Sequence, residues 1–240
     1  LGAGKLNVGT VTNHGQINLA ANTTLSINAA GESQNAGTID GSGSLVVGKD
    51  VAFSNSKAIN LGTDGTINVE GTLTNVYTQA TLNAGKITTP AVYGQITAKT
   101  LTIGNGGVVV TEFAISDAGA KNDAPSGETT YTVGTTTIKE GGKFVTSLNS
   151  RADNFAVDKD HAADIIALQG AFELDGGLIY DRTEKAVSDL KVSGSGNSLT
   201  VMADYDFGKI VAKDQAKFTI DGGNVKLSSL TADQGTVAVT

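Results

Sequence analysis

The chain has no cysteine and no tryptophan, only 2 prolines, and just two arginines, Arg151 and Arg182, among its 17 basic residues. Each shortage excludes something. Without Cys there is neither a disulfide scaffold nor a thiol nucleophile. Scarce Pro and the lack of a Gly-X-Y period exclude a collagen-like chain. Few Arg on a chain of net charge −7 argue against a reader of DNA or RNA, and against docking on an anionic membrane. No apolar run approaches 18 residues, so no segment of this chain is expected to insert in a membrane as a helix. Charged residues make up 17%, too few for a disordered tail or a coiled coil. The lack of Cys fits a cytosolic protein, and equally a chain that must stay unfolded while crossing a periplasm. The chain starts at Leu1 rather than Met and is expected to be an excised piece of a longer protein.

What is plentiful is small, polar and β-branched. Gly supplies 31 of 240 residues, about twice the usual share of ~7%, with 30 Thr and 17 Asn beside it. Short alternating phrases recur. One kind reads Lys5-Leu6-Asn7-Val8, Thr24-Leu25-Ser26-Ile27, Ser44-Leu45-Val46-Val47, Thr100-Leu101-Thr102-Ile103. Another starts with Gly, as in Gly15-Gln16-Ile17, Gly65-Thr66-Ile67 and Gly94-Gln95-Ile96. Alternation over four or five residues, closed by Gly, Asn or Asp, is the pattern of a short half-buried strand.

The spacing turns these strands into a fold. Leu6 to Leu25 is 19 residues, Leu25 to Leu45 is 20, Ile67 to Ile87 is 20 and Leu199 to Phe218 is 19. A period of ~20–25 residues signals stacked repeats rather than a sandwich. The spacing predicts an all-β chain: a right-handed parallel β-helix, or β-solenoid, of about 20 residues per rung, running as one segment over 1–240. Twelve rungs at ~4.8 Å would give a rod of roughly 55–60 Å. Asn is expected to stack on Asn between rungs, each amide bonding the next. The longer step from Ile39 to Ile67 predicts an insertion near 50–57. Residues 116–130 hold Pro125 and no apolar period, and are expected to form an exposed loop. Residues 150–168 are the least strand-like, and an irregular or helical insertion is expected there.

The phrases Gly-Thr-Val-Thr-Asn-His-Gly-Gln-Ile-Asn-Leu (9–19) and Asn-Ala-Gly-Thr-Ile-Asp-Gly-Ser-Gly-Ser-Leu-Val-Val (35–47) resemble the β-helical passengers of Gram-negative type V secretion. Those are the autotransporter passengers and the filamentous-haemagglutinin-like exoproteins. The resemblance is fullest over 5–110 and looser over 131–240. It implies an extracellular, surface-exposed rod serving adhesion, aggregation or display. The partners it implies are host-surface glycans or proteins, or copies of itself, with no cofactor.

Candidate chemistry is sparse. His14 reads as a turn residue. His161 follows Asp158 and Asp160, and these three are the candidate metal ligands, against the plainer reading of a solvated charged loop. Parallel β-helices also carry polysaccharide lyases and hydrolases, so paired carboxylates matter. In 199–207 the apolar set Leu199, Val201, Ala203, Tyr205 and Phe207 points inward, which leaves Asp204 and Asp206 on one outer face, about 6.5–7 Å apart. Glu173 and Asp175 form a second such pair. That separation suits an inverting glycosidase, which sets a glycan-cleaving enzyme beside the leading expectation of a structural and adhesive, non-enzymatic segment.

Overall fold

A computed structural model describes residues 4–78, 81–83, 86–89, 92–111, 131–146, 166–168, 170–181 and 185–240. All regular structure among them is β. The chain is a parallel β-helix. Its first face is a column of ten strands, from Lys5–Val8 to Thr236–Val239, each hydrogen-bonded in parallel to the strand one coil later. A second face stacks seven strands, from Thr12–Asn13 through Gly31–Asn35 and Val51–Asn55 to Leu178–Tyr180. The third face begins with Gln16–Leu19, Thr38–Gly41 and Ala58–Asn60. Ten strands rather than twelve make a column about 43 Å long at ~4.8 Å per step.

Alternation sets what lies inside. Leu25, Leu45, Ile67 and Leu101 occupy one register position on the first face and are at most 2% exposed. Their neighbours Thr24, Ser44, Thr66 and Thr100 point outward and are half-buried. The column continues through Thr136, Phe172, Leu199 and Phe218. Burying such columns is the main driving force, at roughly 25 cal/mol per Å² of apolar surface. Leu6 (60%) and Val239 (75%) continue the inward columns yet are exposed, because each has a neighbouring coil on one side only.

The coil length is not constant. Leu6 faces Leu25, Leu25 faces Leu45 and Leu45 faces Ile67, steps of 19, 20 and 22 residues. Ile67 then faces Leu101, Leu101 faces Thr136 and Thr136 faces Phe172, steps of 34, 35 and 36. The steps return to 27, 19 and 19 at Leu199, Phe218 and Val237. The expected rung of about 20 thus describes both ends and fails in the middle. Ile87, expected above Ile67, instead lies in Lys86–Thr89, which pairs antiparallel with Thr81–Asn83. No insertion occupies 50–57: Ile39 faces Ile59 on the third face while Ile67 faces Leu45 on the first. The long step came from comparing two faces. The expected loop at 116–130 lies outside the described residues, as does 150–165 of the segment expected at 150–168. The last three residues of that segment correct the expectation: Ile166–Leu168 is a strand, parallel to Leu190–Ser193.

Where the coils lengthen, aromatic rings fill the interior. Tyr131, Phe144 and Phe172 are buried and meet edge to face, with centroids 5.6 and 5.2 Å apart. The Tyr131 hydroxyl is hydrogen-bonded to that of Thr136, the one polar residue in the buried stretch of its column. Burial raises the Tyr131 phenol far above its usual range.

Candidate functional site: the asparagine corner and the outer grooves

The second face ends in a column of buried asparagines. Asn13, Asn35, Asn55 and Asn75 are 7%, 0%, 0% and 5% exposed. Each Nδ2 donates to the next Oδ1, at 2.7, 2.8 and 2.8 Å, and Asn75 Nδ2 donates to Thr111 Oγ1 at 3.1 Å. Each of the first three also donates to a carbonyl just past the corner of the next coil: Thr38, Ala58 and Gln95. A buried carboxamide has two donors and must place both, and the ladder places both. The corner that follows is tight. A Cβ on Gly37 would sit 2.1 Å from the Gly15 carbonyl oxygen, so only Gly fits.

That corner is where the extra chain enters. Gln95 stands to Asn75 as Ala58 stands to Asn55: both carbonyls accept from the amide one coil earlier. Between them, 77–93 departs after Val76 and returns at Gly94, whose N–H donates to the Val76 carbonyl at 2.7 Å. Tyr77–Thr78 pairs antiparallel with Val92–Tyr93, closing the neck of a hairpin. In the next two coils the second face ends at Thr111 and Thr146, which follow the paired Val110 and Val145. The third face resumes at Tyr131 and Ile166. In the coil after, Asp181 N donates to Lys185 O at 2.9 Å, closing another neck. Four consecutive coils therefore carry their extra residues at one corner, in one column of the rod.

The outward positions of the second face change character along the rod. One outward column reads Thr12, Gln34, Ser54, Thr74 and then Val110, Val145, Tyr180. The polar half holds a shallow groove of about 450 Å³, with Ala52 between Glu32 and Thr72 as its smallest outward residue. A second groove of about 340 Å³ lies at the preceding corner, around Lys49, Asp50, Glu70 and Asn105.

The sequence-derived candidates are scattered. Glu173 and Asp175 are half-buried on the outer side of the first face, where Glu173 Oε2 accepts from Thr137 Oγ1 at 2.8 Å. Asp204 and Asp206 are exposed, but a corner separates them: the strand Ser198–Val201 ends before Asp204, and Asp206 lies inside Tyr205–Lys213. Asp204 Oδ1 accepts from the Asn224 backbone N–H at 2.7 Å, tying one coil to the next. Neither groove is lined by any of these four. Asp158, Asp160 and His161 lie outside the described residues. Among the described residues no three His, Cys, Asp or Glu gather as metal ligands. His14 is exposed in the corner after Asn13. Neither the column of corners nor the polar groove was anticipated. Their signal is the recurrence of Asn two residues before Gly, and of Gly-Gln-Ile at 15–17 and again at 94–96.

No protein-family model matches the chain, and no curated protein and no solved structure is significantly similar to it.

Proposed function

We propose that this β-helix is a structural and adhesive segment of a secreted bacterial cell-surface protein, of the kind exported by type V systems. Its partners are host-surface glycans or proteins, or further copies of itself. The observation that carries this reading is the column of corners: four successive coils place their extra chain along one edge. In repeat proteins such per-coil insertions commonly form the binding side while the stack supplies stiffness and reach. An enzyme would concentrate its groups at one point; here the variation is spread along about four coils. The test is adhesion of the purified chain to cultured host cells, with and without residues 77–93. Retained folding with strongly reduced adhesion supports the reading. Cells that ignore the intact chain, or bind both forms equally, contradict it.

A further inference from the structure

The adhesive reading leaves open which atoms of the rod recognise a ligand, and the polar groove on the second face supplies a set. Thr12, Glu32, Gln34, Ser54 and Thr74 come from four successive coils and all line it. Register puts Gln34 between Thr12 and Ser54, and Thr74 beyond Ser54, at ~4.8 Å per coil. Glu32 and Gln34 lie two residues apart on Gly31–Asn35, hence on one side of the strand and roughly 7 Å apart. Ala52 stands level with Glu32 one coil on and opens the surface there.

Outward polar groups elsewhere on the rod bond one another. Thr66 Oγ1 donates to Ser44 Oγ at 2.9 Å, Thr137 Oγ1 to Glu173 Oε2 at 2.8 Å, and Gln16 Nε2 to Asp40 Oδ2 at 2.9 Å. The five groove side chains make no hydrogen bond or ion pair among the described residues. Three hydroxyls, a carboxamide and a carboxylate therefore face one concavity with their donors and acceptors uncommitted.

We infer that this groove is a binding site for a neutral glycan, laid along the rod axis across the first four coils. A sugar hydroxyl both donates and accepts, which suits hydroxyl and carboxamide partners, and a carboxylate accepts from vicinal hydroxyls. The chemistry selects against anionic sugars. The one charge in the groove is the Glu32 carboxylate, no cation lines it, and the chain carries a net charge of −7. With no Trp in the chain, stacking adds little, so single sites are weak and attachment relies on many copies. The inference deepens the adhesive reading and rests on it for biological meaning, but not for the binding itself.

The experiment is NMR titration of the full chain with neutral oligosaccharides of hexose and N-acetylhexosamine, and with a sialylated counterpart. Shifts confined to Thr12, Glu32, Gln34, Ser54 and Thr74 are expected with a neutral probe, and none with the sialylated one. Gln34→Ala should weaken the neutral probe about tenfold, with an unchanged unfolding midpoint as proof of folding. Ser54→Ala is the second variant and should weaken it less. Glu32→Gln should admit the sialylated probe. The inference is overturned if no neutral probe shifts these residues, or if Gln34→Ala and Ser54→Ala both bind as the parent does. Cell adhesion separates the two readings. Adhesion that survives Gln34→Ala, with no glycan bound, sinks the groove and leaves the adhesive rod. Glycan bound in the groove by a chain that ignores cells sinks the adhesive rod and leaves the groove.

Discussion

The coils before Asn75 and the coils after it share the same columns and differ at one place in them. Before, the corner position is Asn and the chain turns at once into the third face. After, it is Thr111 and Thr146, and 17 or more residues intervene before the third face resumes. The difference follows from what each side chain must satisfy. An Asn amide needs an acceptor above and a carbonyl just past the corner, and a tight corner delivers both. The coil of Asn75 is the hinge case: its hairpin closes on itself at Val76 and Gly94, so the carbonyls keep their places and the ladder survives. The interior changes too. Early coils are filled by Leu, Ile and Val with Phe53, whereas Tyr131, Phe144 and Phe172 crowd into the long coils.

The comparison breaks most violently in the shared core. Leu45→Asp places a lone charge at a site of 0% exposure and should cost more than about 4 kcal/mol, enough to melt neighbouring coils. Ser44→Asp, one residue away on the outer side, should cost under ~0.5 kcal/mol. Urea unfolding of the pair checks this, and equal losses would mean that the inward set was misassigned.

Exchanging the corner residues sharpens it further. Asn55→Thr removes the bonds from Nδ2 to Asn75 Oδ1 and to the Gln95 carbonyl. It should destabilise by about 2–3 kcal/mol, since buried groups lose partners. Thr111→Ser keeps the hydroxyl that Asn75 bonds and should cost under ~1 kcal/mol. Similar losses in denaturant melts would show that the ladder is no more demanding than the corner that replaces it.

In the long coils, Tyr131→Phe takes one hydroxyl from a buried pair and strands that of Thr136. A loss of about 1–2 kcal/mol is expected. Thr136→Val in the same background should recover part of it, and no recovery would mean that the hydroxyls are not coupled.

Acid should separate the two ends slightly. The Ser193 hydroxyl, bonded at 2.6 Å, and the nearby Lys213 hold Asp214 below the usual carboxylate range. A folded-state value depressed below the unfolded one adds stability that is present above the unfolded carboxylate range and is lost as pH falls through the folded value. The asparagine ladder has no titrating group. Amide exchange at 217–220 should therefore accelerate below about pH 4 relative to 44–47. Asp214→Asn should abolish the difference, and the opposite order of loosening would refute the assignment.

Much of the fold was legible because period-2 alternation and a ~20-residue recurrence are both local signals. Leu25, Leu45 and Ile67 could be stacked correctly from sequence alone. Ile87 could not, since a hairpin strand alternates just as a coil strand does. The buried amides were legible as a type of bond but not as positions, because an Asn in a turn phrase reads the same whether it faces water or the ladder. Glu173, Asp175, Asp204 and Asp206 were picked by alternation, which fixes the side of a strand but not the corner that parts Asp204 from Asp206. The groove was invisible, as it is assembled from Thr12, Gln34, Ser54 and Thr74 on separate coils.

The most direct test removes residues 77–93. The cut joins Val76 to Gly94, already hydrogen-bonded at 2.7 Å, and yields Asn-Val-Gly-Gln-Ile in place of the hairpin, the pattern of Asn13-His14-Gly15-Gln16-Ile17. Urea unfolding followed by circular dichroism should give one cooperative transition, within about 1 kcal/mol of the intact chain, because shortening a loop changes closure entropy little. Loss of the transition, or a drop of several kcal/mol, would contradict a rod whose coils stand independently of what they carry at the corner.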